Sequence, residues 1–96
     1  MAEVKQETRL EQIHRCVAWI ERNQCADAVG QIAPCDVTQP MIWLDKVEHL
    51  RRFFPGADAK VTTRSGTSYY EVLAEGIRFF AVEHHWEGEK QETMKL

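Results

Sequence analysis

The side chains best suited to bind a metal ion in this sequence are His14, Cys16, Cys25 and Cys35, which are of the types that ligate zinc. Zinc sites usually contain two cysteines about two to four residues apart, and these cysteines are more widely spaced. The pattern therefore predicts no metal site. In a cytoplasmic protein the cysteines are expected to be reduced, with Cys16 packed as a small hydrophobic side chain.

A second candidate for metal or proton chemistry is the pair His84-His85, which is followed by Trp86. Successive side chains on a strand point to opposite faces of a sheet, so this pair would not converge on one ion. The sequence has no glycine-rich phosphate loop, no Gly-x-Ser-x-Gly turn and no His-Glu-x-x-His helix. None of the carboxylates is spaced as a paired acid and base. We therefore predict that the protein is not an enzyme and uses no cofactor.

The strongest structural pattern lies in residues 59–83. Val, Thr, Tyr and Phe are concentrated there around two glycine-containing dipeptides, Ser65-Gly66 and Glu75-Gly76. This pattern predicts three antiparallel strands joined by two-residue turns. Such turns fix two cross-strand pairs: Arg64 with Thr67, and Ala74 with Ile77.

Side chains alternate between the two faces of a sheet, so this register divides the segment into two sets. The more apolar set is predicted to face the core: Ala59, Val61, Thr63, Ser68, Tyr70, Val72, Ala74, Ile77, Phe79 and Ala81. The other set is predicted to face away from it: Lys60, Thr62, Arg64, Thr67, Tyr69, Glu71, Leu73, Arg78, Phe80, Val82 and His84. A slip of one residue in the register would exchange the two faces.

The set that faces away from the core contains the candidate binding residues. The predicted protein-binding residues are Tyr69, Leu73, Phe80 and Val82, with Arg64 and Arg78 at the rim. Exposed apolar clusters with a polar rim mark binding surfaces, and aromatic and Arg side chains are common anchors. The sequence leaves an alternative open, in which the N-terminal segment or the C-terminal tail covers this face.

Two helices are predicted before the sheet. Thr8 and Glu11 have the spacing of a capping box, which begins a helix over about residues 9–23. Its apolar stripe is Leu10, Ile13, Val17 and Ile20, widened by Cys16 and Trp19. A second helix over about residues 40–53 has Pro40 in its first turn and a stripe of Trp43, Val47, Leu50 and Phe54. Residues 26–32 fit either a short third helix or an irregular connection.

These elements predict a single α+β domain at residues 1–84, followed by a mobile polar tail at residues 85–96. Two main helices would pack on a three-stranded antiparallel β-meander. The predicted core is Leu10, Ile13, Val17, Ile20, Val47, Leu50, Phe54, Val61, Tyr70, Val72, Ile77 and Phe79.

The composition limits the classes of partner. The chain has 96 residues, of which 44% are apolar and 28% charged, and its formal net charge is −3. This balance argues against a general nucleic-acid coat and against binding to an anionic membrane. No apolar run reaches the roughly 18 residues that span a membrane, and the N-terminus has no signal-peptide pattern. We expect a soluble cytoplasmic protein.

The predicted function is non-catalytic protein binding through the face that carries Phe80. The partner would be another protein, or a second copy of the chain in a homodimer. A small acidic domain without catalytic motifs also fits an inhibitor that covers a larger protein, such as the anti-CRISPR proteins that phages encode against host defence. Size and composition alone support that comparison.

Nucleic-acid binding is the alternative prediction. In a winged helix, residues 38–53 would enter the major groove and Arg64-Ser65-Gly66 would form the tip of the wing. On an aromatic platform, Tyr69 and Phe80 would stack on bases while basic side chains hold the backbone. Few basic residues lie on either surface, so the sequence favours protein binding.

Overall fold

The computed structural model describes residues 7–35, 38–84 and 90–96. The elements in chain order are α1 (Arg9–Asn23), a 3₁₀ turn (Ala26–Ala28), β1 (Val29–Ala33), β2 (Met41–Leu44), α2 (Val47–Phe53), β3 (Asp58–Arg64), β4 (Thr67–Ala74), β5 (Ile77–His84) and β6 (Lys90–Lys95). No helix in these ranges is long and apolar enough to cross a membrane.

The strands form one six-stranded mixed sheet in the order β1-β2-β5-β4-β3-β6. All neighbouring strands are antiparallel except β2 and β5, which are parallel. The predicted three-stranded antiparallel meander was therefore wrong as a description of the sheet. The meander exists as β3, β4 and β5, and the sheet extends beyond it on both sides.

The two turns of the meander have the predicted geometry. Ser65 and Gly66 have φ values of +50° and +76°, and Glu75 and Gly76 have φ values of +51° and +70°. Two successive positive φ values define the turn whose twist matches that of the flanking strands. The predicted pairs at both turns are confirmed, and the predicted core-facing side chains lie on the helix-covered face.

The predicted second helix was wrong in its first half, because residues 41–44 form β2 and α2 begins only at Val47. Ile42 and Leu44 are buried on the core face, whereas Met41 and Trp43 are half-buried on the opposite face. A four-residue apolar run fits a strand or a helix equally well, and the helical spacing of Trp43 and Val47 was a coincidence. Residues 26–32 form the 3₁₀ turn and most of β1 rather than a third helix.

The C-terminal residues also differ from the prediction. Lys90–Lys95 form β6, an edge strand that pairs with β3, where the sequence predicted a polar tail. Met94 lies opposite Ala59 and packs against the core, and such a single apolar contact gives a weak sequence signal. His85 and Trp86 lie outside the described residues.

Helix α1 begins and ends as predicted, with the capping box between Thr8 and Glu11 confirmed. Its buried side is rotated from the predicted stripe, because Gln12, Cys16, Trp19 and Ile20 face the core. Leu10 and Val17, predicted to be core residues, are 62% and 37% exposed, and Ile13 is half-buried.

Contacts of Trp19 and Gln12 explain this rotation. The Trp19 ring lies 4.6 Å from the Phe79 ring, and its indole N–H donates to the Glu75 carboxylate at 3.1 Å. The Gln12 side chain accepts from the Cys35 backbone N–H and donates to the Cys35 carbonyl, both at 2.8 Å. The large ring of Trp19 and the hydrogen-bonded amide of Gln12 thus occupy the buried side of the helix. The smaller aliphatic side chains of Leu10 and Val17 remain exposed.

Candidate functional site

The face of the sheet opposite α1 and α2 carries the candidate site, and we call it the outer face. The strand register assigns to it Met41 and Trp43 of β2, Asp58, Lys60, Thr62 and Arg64 of β3, Thr67, Tyr69, Glu71 and Leu73 of β4, Arg78, Phe80, Val82 and His84 of β5, and Thr93 and Lys95 of β6. Within residues 7–35, 38–84 and 90–96, both helices lie on the other face, with the hydrophobic core.

The centre of the outer face is an aromatic stack between neighbouring parallel strands. Trp43 and Phe80 are register partners, and their rings stack with centroids 4.6 Å apart and planes 18° apart. Phe80 is consequently only 9% exposed. The prediction that Phe80 is exposed was wrong, because Trp43 lies on an adjacent strand that the sequence had assigned to a helix.

Leu73 and Tyr69, two other predicted binding residues, form the exposed apolar part of this face. Leu73 is 61% exposed and Tyr69 is 39% exposed, and both lie on β4 next to β5. Val82 is half-buried opposite Tyr69. The register therefore brings together the apolar residues that the sequence proposed, and it adds Trp43 and Met41 to them.

The two predicted arginines have different surroundings. Arg78 lies inside the apolar cluster, where its Nε donates to the Glu71 carboxylate at 2.7 Å and its guanidinium lies 5.0 Å from the Phe80 ring centroid. Arg64 lies at the end of β3 and is exposed. Arg64 pairs with Thr67 and Arg78 with Leu73, so the two arginines are roughly 20 Å apart along the strands.

The sequence missed Met41 and Trp43 as members of the site. Residues 41–44, between Pro40 and Asp45, are all apolar, so the sequence has no alternation there that would separate a strand from a helix. The Pro40 carbonyl accepts from the Arg78 backbone N–H at 2.9 Å, which begins the parallel pairing of β2 with β5. This contact joins residues far apart in sequence, so no local pattern predicts it.

The side chains that were weighed as metal ligands, His14, Cys16, Cys25 and Cys35, all lie among the described residues. In the part of the chain that the structure describes, no group of three or more His, Cys, Asp or Glu side chains is arranged to hold an ion. Cys16 and Cys25 are buried, whereas His14 is exposed. Burial raises the pKa of both buried thiols, which keeps them protonated and unreactive at neutral pH.

A shallow depression of about 380 Å³ adjoins the outer face, between the start of α2 and the end of β5. Its lining residues are Asp45, Lys46, Val47, Glu48, Arg51, Val82 and Glu83. Ligand pockets usually enclose a small molecule with mostly apolar walls. This open depression with mixed charges suits water or the polar edge of a bound protein better.

The winged-helix arrangement is not formed, because residues 41–44, in the first half of the presumed recognition helix, are a strand. No protein-family model, no curated protein and no solved structure matches this chain.

Proposed function

We propose that this protein is a non-catalytic binding module that docks another protein on its outer face. The observation that carries the proposal is the apolar cluster around the Trp43–Phe80 stack, in which Leu73 and Tyr69 remain exposed. Contiguous exposed apolar surface with a polar rim is characteristic of protein interfaces. A small domain with such a face could act simply by covering a surface of a larger protein.

The stack also supports the proposal through its rigidity. Trp43 and Phe80 lie on hydrogen-bonded strands, and Arg78 is held over Phe80 by its ion pair with Glu71. A partner that docks there orders few additional side chains, which keeps the entropic cost of association low.

The charges of the outer face favour an acidic partner. Among the side chains that the structure describes on this face, four are cations and two are anions: Lys60, Arg64, Arg78 and Lys95 against Asp58 and Glu71. The whole chain has the opposite sign, with a net charge of −3. Two copies docked through this face would oppose surfaces of like charge, whereas an apolar surface with an acidic rim would complement it.

The test is an affinity capture from a lysate of the organism that makes the protein, carried out with and without nuclease, with the bound proteins quantified by mass spectrometry. Leu73→Glu should abolish binding of the partner, since it puts a charge into the exposed apolar patch. The sheet should tolerate the substitution, because the new carboxylate can pair with Arg78 on the neighbouring strand. Ala18→Glu is the matched control, because it introduces the same side chain at an exposed position of α1.

Capture that survives Leu73→Glu would contradict the proposal. Material that is retained only without nuclease would instead support the aromatic-platform prediction. In that case affinity should fall steeply with salt, and Arg64→Ala should reduce the slope.

A further inference from the structure

The two edges of the sheet are unequally protected against pairing with another strand. β6 carries the exposed Lys95, and a charged side chain on an edge strand is a common protection in natural proteins. β1, with the sequence VGQIA, has no charge and no proline. Its bulge between Val29 and Gln31 is its protective feature, and residues 31–33 beyond the bulge keep regular register with β2.

Helix α1 has an apolar stripe next to this edge. Leu10, Ile13 and Val17, here called the α1 stripe, follow the spacing of successive core positions in a coiled coil. Leu10 is 62% exposed, Val17 is 37% exposed, and Ile13 is half-buried. The stripe is therefore an apolar surface separate from the outer face, on the opposite layer of the molecule.

The direction of the α1 stripe follows from the contacts on the other flank of the helix. Arg15, Trp19 and Arg22 reach the turn between β4 and β5, where they bind Glu75 and the Gly76 carbonyl. At about 100° per residue, the α1 stripe lies roughly 180° around the helix from that flank. β4 and β5 are inner strands and α1 packs against β1, so the stripe is expected to lie on the side of the helix toward the β1 edge.

We propose that a second copy of this chain pairs with β1 at this edge. Two β1 strands would run antiparallel about a two-fold axis perpendicular to the sheet, and the two α1 stripes would meet above the joined strands. Because β1 carries no charge, the β1 strands of two copies can pair without like-charge repulsion. The α1 stripe supplies apolar surface that is exposed in a single copy and would be buried in the dimer.

The charges at the ends of the α1 stripe favour the same arrangement. Arg9 lies beside its first residue and Glu21 beyond its last. The two-fold axis makes the α1 helices antiparallel, which brings the basic end of each stripe to the acidic end of the other. A parallel arrangement would oppose like charges, so this complementarity selects the symmetric dimer.

The proposal is tested by sedimentation equilibrium of the intact chain over a series of concentrations. The wild type should show a dimer of twice the 11.2 kDa chain mass. Val17→Glu should raise the dimer dissociation constant at least about tenfold, since it replaces apolar contact area in the interface by a charged side chain that must lose water. Ala18→Glu adds the same charge at the adjacent exposed position and should leave the dimer unchanged.

Two further measurements keep the proposal open to contradiction. At a protein concentration too low for dimers to form, both variants should retain the wild-type unfolding midpoint, because both positions are exposed in the single chain. Amide hydrogen exchange at residues 31–33 should be slower in the wild type than in Val17→Glu at equal concentration. A monomer at every concentration would overturn the proposal, as would a dimer that survives Val17→Glu and is lost with Leu73→Glu.

Discussion

Phe79 and Phe80 are neighbours in sequence and both are nearly inaccessible to solvent, yet they are buried in different ways. Phe79 lies on the helix-covered face, with its ring 4.6 Å from those of Trp19 and Phe54. Phe80 lies on the outer face under the ring of Trp43, a residue of the same sheet. One ring is enclosed between two layers of the fold, and the other is covered only by its neighbours within a layer.

This difference means that exposure alone does not define a core. Alternation along β5 decides which face each phenylalanine occupies, whereas the neighbouring elements decide how much of it is covered. On the helix-covered face the cover comes from helices fixed by several contacts. On the outer face it comes from single side chains whose other surface remains available to a partner.

The largest expected effect is that of Phe79→Ala. Removing a ring enclosed between the helices and the sheet leaves a cavity that the structure cannot close, and we expect a loss of about 3–5 kcal/mol in the free energy of unfolding. Urea denaturation followed by circular dichroism measures it. A loss below about 1 kcal/mol would show that the two layers do not enclose this ring.

A smaller effect is expected for Phe80→Ala, because Trp43 can move into the space and water can reach it. We expect a loss of about 2 kcal/mol, clearly less than for Phe79→Ala. A double-mutant cycle with Trp43→Ala should give a coupling of about 1 kcal/mol for the stacked rings. Equal losses for both phenylalanines would make the outer cluster a second core.

The stability of the fold should also depend on pH, through the ion pair between Arg15 of α1 and Glu7. Arg15 donates to the Glu7 carboxylate at 2.7 Å and holds the pKa of Glu7 below its ordinary value of 4.5. The folded state therefore binds fewer protons, so the pair stabilises the fold above about pH 4.5 and loses its effect as pH falls through the lowered pKa.

Arg15→Gln should accordingly lower the urea midpoint at pH 7, and the difference from the wild type should shrink as pH falls below about 4.5. Because Arg15 also donates to the Glu75 and Gly76 carbonyls, a constant part of the difference should remain. A difference that grows on acidification would contradict the assignment of the pair.

The smallest effect on folding is expected for Leu73→Ala. Its side chain is 61% exposed, so the free energy of unfolding should change by no more than about 0.5 kcal/mol. The same variant should weaken partner binding, since it removes exposed apolar area from the proposed interface. Stability and affinity that fall together would indicate that Leu73 belongs to the fold rather than to the site.

Local chemistry made part of this fold predictable. The turns Ser65-Gly66 and Glu75-Gly76 fix their own register, so the pairing of β3, β4 and β5 and the faces of their side chains followed from the sequence. The same register correctly placed Tyr69 and Leu73 together on the outer face.

The remaining strands depend on contacts between distant residues. β2 pairs with β5, and β6 with β3, through backbone hydrogen bonds, which do not depend on a local sequence pattern that could predict them. The cover of Phe80 was missed for this reason, since it required knowing that Trp43 lies on a strand. The buried side of α1 was missed because Gln12, a polar residue, is buried by its bonds to the Cys35 backbone.

The parallel pairing of β2 with β5 has a consequence for the order of folding. The meander closes through short loops, whereas β2 reaches β5 only after α2, β3 and β4 have been passed along the chain. Closing that long loop costs more conformational entropy than closing the short turns of the meander. The meander should therefore form first, and β2 should dock late. Folding φ-values near zero for Trp43 and higher ones for Val72 would reveal this order. The outer face would then be completed in the last folding step.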